Sequence, residues 1–593
     1  MTDARRILAA PVVARRRARL LARDVRGWLR ASEASFIVLA IGIGGVAGLL
    51  SVVQGALART LQHLLFALPP NTRLSGVAEL GLASLIVLPL GGLIFTAFGY
   101  ATRAGKRRLV DAVEANALHG GRMSLPDSLV ISGQTILSNG FGASVGLEAA
   151  YAQMGGAVAS VLGGWLKLRR ADQRILVGAG TGAAIAAAFG APLAGAFYAF
   201  EIVIGAYTPS AIAPVAAAAL AGALVAQTFG VQPYLIDAAS NVSVETHHYL
   251  IYAGLGAICA LLGIVLMRAV ALVERATRRT GMPEWVRPAF GGLFLIPIAI
   301  VSPQVLSAGH DALHADLALG ASLGFILLVL FAKSAASIVS LGFGFRGGLF
   351  FASLFLGTLI GHLFAAGLTL LVGHPVIDPH NAALVGMAAF AVAVVGGPMT
   401  MAMLVLQATH DFPLTGAVIA ASLVSSTIVR ELFGYSFSTW RLHLRGETIK
   451  SARDVGWIKT LTAGRMMRKE TRPTPAAMSI GEFRRTFPLG SRTRVVLVDA
   501  QDAYAGIAVV PAAYAEGLDP KASVVTLATG RDVVLTPDMD IAAVMASFDD
   551  ARTVELAVLS ADRHVLGILS ETYVRRRYAE ELEKAQRELF GER

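Results

Sequence analysis

Hydrophobic residues in this chain come in long runs, with little of the alternation or striping of a soluble fold. Residues 35–65 form the first run long enough to cross a bilayer. Residues 78–101 form the second, which ends in the basic cluster Arg103, Lys106, Arg107 and Arg108. The next apolar material is cut into pieces too short to span alone, at roughly 127–140, 146–166, 175–189 and 192–206. Helices interrupted by glycine or proline are tolerated at membrane depth where protein surrounds them or where they line an ion path. Longer runs return at 211–229, 247–272 and 287–304, then at 316–345, 347–373, 381–409 and 415–433. So many spans suit a transporter or channel body.

The texture changes at about residue 446. From there charge density is ordinary and the apolar runs are short: 495–500, 505–510, 522–527, 555–560 and 565–569. Helical patterns at 478–487 and 540–548 lie between these strand-like runs. Strand and helix alternate twice at similar spacing, which predicts a small soluble α/β module of two similar halves over 446–593. The charged tail 571–593 reads as a surface helix. At the other end, residues 1–33 interleave Arg15, Arg16, Arg17, Arg19, Arg23, Arg26 and Arg30 with Leu20, Leu21, Trp28 and Leu29. No cleavable signal of the expected short form follows, so this segment reads as a basic amphipathic stretch on the cytoplasmic face, ahead of a membrane domain over 34–445.

The membrane part contains an echo. Gly180 precedes Pro192 by twelve residues, Gly386 precedes Pro398 by twelve, and nine residues after each proline stand Glu201 and Gln407. The spacing predicts two structural repeats, about 35–230 and 247–445, meeting at a shared midplane site.

Composition agrees with the pattern. Of 593 residues, 55% are hydrophobic and 15% charged, against roughly 25% charged in soluble proteins; mean hydropathy is +0.62. The net charge of +11 would suggest nucleic acid in a soluble protein. Here it sits beside apolar segments, so a lipid bilayer is the expected partner and nucleic acid is not. One cysteine, Cys259, rules out a disulfide framework within the chain. There is no phosphate-binding Gly-x-x-x-x-Gly-Lys-Ser/Thr loop, no His-Glu-x-x-His and no cysteine cluster, so neither an enzyme nor a metal site is expected.

Against this background one carboxylate stands out. Glu148 lies in NGFGASVGLEAAYAQMGG, 139–156, among glycines, alanines and small polar residues. A lone acid there must face water, an ion path or a partner; a plain helix N-terminal acid is the alternative.

Several separated motifs, in order over about 35–585, resemble the CLC family of chloride channels and proton-coupled chloride antiporters. GAGTGAAIAAAFGAPLAGAFYAFE, 178–201, is similar to the family's Gly-rich helix pair, and GMAAFAVAVVGGPMT, 386–400, to its second-half counterpart. Gly146-Leu147-Glu148-Ala149-Ala150 resembles a degenerate Gly-Arg-Glu-Gly-Pro motif. Lys333 followed by SLGFGFRGGLFFASLFLGTLIG, 340–361, resembles the Gly-Gly-x-Phe-x-Pro region, with Ala352 in place of proline. The soluble region resembles the CBS pair that follows the membrane domain in part of the family. The resemblance implies an all-α multi-pass membrane fold of inverted repeats and broken helices, followed by an α/β CBS-pair domain. It further implies a homodimer in which each subunit forms its own chloride path, in a bacterial inner membrane with both termini cytoplasmic. Glu148 becomes the external gate, with Gly146, Leu147, Leu349, Phe350 and Phe351 on the anion path.

The departures shape the functional expectation. The family's first motif carries an ion-coordinating serine, and the closest position is Ala104, followed by Gly105, in the stretch 103–108. A rival placement on Leu125-Pro126-Asp127 leaves few residues before Glu148. The coordinating tyrosine of the last helix falls near Ser438, with Tyr435 the nearest phenol. The internal acid of coupled antiporters, expected just after Glu201, is Ile202, which cannot relay a proton. The reading therefore favours passive anion conduction over chloride/proton exchange, with a third alternative of a divergent member that senses or carries another anion. Lys106, Arg107 and Arg346 are candidates for anion steering. In the soluble pair, the ribose-binding aspartate expected three residues after Ser570 is Tyr573, which favours a dimer contact over an adenine nucleotide.

Overall fold

Proline and glycine mark where one membrane helix ends and the next begins. The computed structural model describes residues 32–590 apart from 70–71, 78, 103–108, 233–243, 313–321, 444–460, 470–472 and 552. The chain divides into two units, Met1–Asp454 and Val455–Arg593.

The first unit is an all-α multi-pass membrane bundle. In chain order its helices are α1 (Glu33–Phe66), α2 (Val87–Thr102), α3 (Ala112–Leu118), α4 (Leu125–Gly140), α5 (Glu148–Trp165), α6 (Arg170–Phe189), α7 (Pro192–Tyr198) and α8 (Pro209–Thr228). They continue as α9 (His248–Arg279), α10 (Arg287–Val301), α11 (Leu323–Gly342), α12 (Phe350–Val372), α13 (Pro379–Val395), α14 (Pro398–Thr409), α15 (Phe412–Leu432) and α16 (Phe437–His443). Seven segments among the described residues are long and apolar enough to cross a membrane. The run 381–409, continuous by hydropathy, is in fact two helices. Gly396 and Gly397, at φ 92° and 76°, turn the chain, and Pro398 opens α14 where its missing N–H costs nothing. Gly190, at φ 64°, and Pro192 make the equivalent break between α6 and α7.

Packing explains the echo. α6 is buried on every side from Leu176 to Ala187, and α13 from Asn381 to Val394, so each is a central helix of its half. Gly180 crosses Gly155 of α5, and Gly386 crosses Gly357 of α12; a methyl group at either echo glycine would meet the facing carbonyl. Outside these pairs, α1 lies on α8 at Gly44 and Ala218, and α9 lies on α15 at Gly256 and Ala421. Between the halves, α2 and α10 meet reciprocally: Gly92 faces the backbone of Pro288, and Gly292 faces that of Leu88.

The second unit holds a four-stranded sheet, β1 (Thr474–Pro475), β2 (Arg494–Val498), β3 (Tyr504–Val509) and β4 (Ala528–Thr529), in that order, with β1 parallel to β2 and the rest antiparallel. A second sheet pairs β5 (Glu555–Leu559) with β6 (Val565–Ser570). The two hairpins match: each has a register shift near its end, at Leu497/Val498 and Val558/Leu559. Val496, Tyr504 and Ile507 share a core with Ala557 and Leu559. The apolar run 522–527 is not a strand. Ser523 caps a 3-10 turn over Val524–Leu527 with its side chain, and only Ala528–Thr529 joins the sheet.

Candidate functional site

The bundle brings two helix starts together. Gly146, two residues before α5, donates to the carbonyl of Gly348 at 2.9 Å, and Gly348, two residues before α12, donates back at 3.3 Å. Both helices therefore present their first-turn amides, which have no intrahelical acceptor, to one region. Two N-terminal dipole ends at one point make a seat for negative charge.

Glu148 fills that seat. It is the first residue of α5, yet its carboxylate crosses to the other half: Oε1 accepts from the Phe351 amide of α12 at 3.1 Å. Oε2 is buried without a partner, and the residue is only 3% exposed. Gly146 is required beside it, because a methyl group there would meet the carboxylate.

Two cavities flank this carboxylate. One of about 130 Å³ is lined by Glu148, Gln153, Thr181, Tyr198, Leu349 and Phe350, and by Arg346 and Arg441. It shares Leu109, Arg346 and Arg441 with a wider cavity of about 660 Å³. The other flanking cavity, of about 340 Å³, is lined by Leu147, Tyr151 and Phe351 with Arg59, Arg73 and His310. Leu147 and Phe351 bound this second space while Glu148 and Phe350 bound the first, so the carboxylate stands at the division. The His310 ring packs on Phe351, 3.6 Å between centroids.

Arginines line the cavities on both sides, Arg346 and Arg441 on one and Arg59 and Arg73 on the other. Arg346 donates from its amide to Ser138 and from its guanidinium to Gln134, both at 3.0 Å, which holds it against the 130 and 660 Å³ cavities. Lys333 is fully buried, and its ammonium donates to the carbonyls of Val305 and Ser307 at 3.0 and 2.9 Å. Ser307 in turn accepts from Gln62, which also reaches Asn139.

The echo residues have a reciprocal use. Glu201 accepts from the amides of Met399 and Thr400, at 3.1 and 2.8 Å, and from the Thr400 hydroxyl at 2.7 Å. Gln407 accepts from the amide of Ala194 at 3.0 Å. Each side chain thus caps the short proline-started helix of the opposite half.

Of the other residues singled out in the sequence, Leu349, Phe350 and Phe351 are gathered at the start of α12, with Phe351 stacked on Phe189 at 4.6 Å. Ile202 packs, partly buried, against the apolar core. Ala104, Gly105, Lys106 and Arg107 lie outside the described residues, as does the side chain of Ser438. Tyr435 packs on Phe433 and Trp440. Asp127, from the rival motif placement, lines the 660 Å³ cavity. In the soluble unit Ser570 caps the last helix by accepting from the Tyr573 amide at 3.3 Å, and Arg576 lies over the Tyr573 ring. No group of three or more metal-ligating side chains occurs among the described residues. Sequence reasoning passed over Tyr198; its signal was a single phenol within an alanine- and phenylalanine-rich segment.

A family model described as "Voltage gated chloride channel" matches residues 92–430. A chloride channel protein described as ClcB-like, from Ralstonia nicotianae, is 30% identical over 339 residues, covering 56% of this chain and 78% of that protein. The H(+)/Cl(−) exchange transporter ClcA of Vibrio campbellii is 28% identical over 304 residues, covering 50% of this chain and 64% of its own length. The crystal structure of a eukaryotic CLC transporter superposes with a TM-score of 0.60 at 19% identity, over 93% of this chain and 98% of that one.

Proposed function

The chain belongs to the voltage-gated chloride channel family, whose members are channels and transporters and not enzymes, and from that premise we propose that it is a chloride channel gated by Glu148. The observation that carries this reading is the Glu148 carboxylate seated on the Phe351 amide between two cavities. Amide donors at helix starts attract an anion without holding it as tightly as a full positive charge would. An ionised Glu148 occupies that place itself. Protonation removes its charge, the seat loses its occupant, and chloride takes it; external acid therefore favours conduction.

The outer side follows from charge. The arginine-rich stretch before α1 favours the cytoplasmic face, and the lining of the 340 Å³ cavity by Gly55, Arg59 and Gln62, late in α1, supports reading that cavity as the outer one. Passive conduction is favoured over exchange because Ile202 has no proton to relay and Glu201 is engaged as a helix cap by three donors. The reciprocal contacts of Gly92 and Gly292, of Gly146 and Gly348, and of Glu201 and Gln407 support two repeats related by a two-fold axis. We read the protein as a homodimer in a bacterial inner membrane, with one path per subunit and cytoplasmic termini. The matched hairpins of the soluble unit support a CBS pair, and the use of Ser570 as a helix cap weighs against a nucleotide there.

Reconstituted vesicles with a chloride gradient test the reading. Chloride efflux that requires a valinomycin-type shunt and moves no protons is expected, with Glu148→Gln flowing at neutral pH as the wild type does in acid. Uphill proton movement driven by chloride, or unchanged pH dependence in Glu148→Gln, would refute it.

A further inference from the structure

Tyr198 is 8% exposed and lines the same cavity as the Glu148 carboxylate. A buried phenol ordinarily spends its hydroxyl on a neighbour, as Tyr504 does on the carbonyl of Gly530 and Tyr514 on that of Arg484. The Tyr198 hydroxyl makes no hydrogen bond to any described residue. Two neutral polar side chains of the cavity wall are committed elsewhere. Thr181 donates to Val177 at 2.7 Å, and Gln153 donates to Val110 and Ser128 at 3.1 and 3.0 Å.

Backbone geometry adds a second, independent pointer. α7 ends at Tyr198, and Ala199–Ile204 continues as a π-helical turn. Such turns insert one extra residue per turn and re-aim side chains, and they recur at functional sites. The Tyr198 ring leans on that of Phe350, 6.1 Å between centroids at 57°. Phe350 opens α12, so the phenol stands beside the helix start that holds the Glu148 carboxylate.

We propose that Tyr198 supplies the side-chain ligand of the anion path, its hydroxyl donating to a halide held on the inner side of the gate. This rests on the conduction reading above and specifies how the same path holds its ion. Ala104, at the position of the expected serine, has no hydroxyl to donate. A phenol suits the task because it is neutral. Its O–H adds a directional donor to the helix amides while leaving the anion free to move on. A site built to hydrogen-bond its ligand also discriminates against ligands that accept weakly, so the phenol favours chloride over iodide.

The test is made on the full-length protein in detergent. Tyr198→Phe keeps the ring against Phe350 and removes only the hydroxyl. In a Glu148→Gln background, where the carboxylate no longer competes, calorimetric titration with chloride is expected to show about tenfold weaker binding when Tyr198→Phe is added. The preference for chloride over iodide is expected to shrink with it. A purely packing role would move neither the halide order nor the affinity. Bromide anomalous diffraction on the Glu148→Gln protein needs no tyrosine variant, and a peak within hydrogen-bonding reach of the Tyr198 oxygen is expected. Equal affinity and halide order with and without the hydroxyl, or bromide bound out of its reach, overturns the assignment and leaves gating by Glu148 intact. If the Glu148→Gln protein binds neither chloride nor bromide, the conduction reading falls and the assignment falls with it.

Discussion

Gly146→Ala tests the gate without replacing its carboxylate. Gly146 is not among the glycines with positive φ, so alanine suits its backbone. What alanine does not suit is the space: its methyl group would meet both oxygens of the Glu148 carboxylate. The seated carboxylate is held by one hydrogen bond, from Phe351 at 3.1 Å, and its second oxygen has none. A hydrogen bond to a charged group contributes roughly 1.5–3 kcal/mol, and an unpaired buried oxygen costs roughly 1–3 kcal/mol. The hydrogen bond is the part that favours the seated carboxylate. Forcing the carboxylate off Phe351 loses the favourable part. At about 1.4 kcal/mol per factor of ten, the ratio of seated to displaced carboxylate falls about 10- to 100-fold. Chloride efflux from vesicles at neutral and acidic pH reads this ratio. Wild type is expected to accelerate strongly on acidification, while Gly146→Ala is fast at both. A Gly146→Ala protein that melts like wild type and keeps the full acid dependence would show that the seated carboxylate is not the gate.

Two further outcomes follow from contacts elsewhere. Glu201→Gln sets an amide NH2 against the N–H donors of Met399 and Thr400, so it is expected to destabilise the membrane unit by about 1–3 kcal/mol in detergent melting, with no effect on proton flux. Unchanged melting together with altered proton flux would instead make Glu201 a relay. In the soluble unit, burial pushes the Tyr504 phenol up to about 12, offset in part by Arg563. Because the folded value lies above that of a free phenol near 10, its contribution to stability is full below about pH 10 and is lost as pH climbs through the folded value. The stability difference between wild type and Tyr504→Phe should therefore narrow between pH 10 and 12, and a constant difference would contradict the assigned burial effect.

Much of the architecture was open to reading from residues alone. Run length marked the spans, and the short runs on either side of Gly190 and Pro192 marked where one helix breaks. The one missed break, within 381–409, was hidden because hydropathy does not fall across Gly396 and Gly397. The run at 522–527 misled for a different reason: Ser523 bonds the backbone locally and turns β-branched residues into a 3-10 turn. The echo of Gly180 and Gly386 was visible as spacing, but its purpose is close helix crossing, which needs both partners in view.

By itself the sequence determined that this chain crosses a membrane many times, that its helices break at set points, and that one acid stands where acids are costly. These are consequences of hydropathy, proline geometry and desolvation, each of which acts within a few residues. Only the tertiary structure decided what that acid does. The donor that seats Glu148 is Phe351, the donors that engage Glu201 are Met399 and Thr400, and the cavity that exposes the Tyr198 hydroxyl has walls from both halves. A hydrogen bond forms between groups about 3 Å apart in space, and no local pattern records which amide, some two hundred residues along the chain, will arrive there.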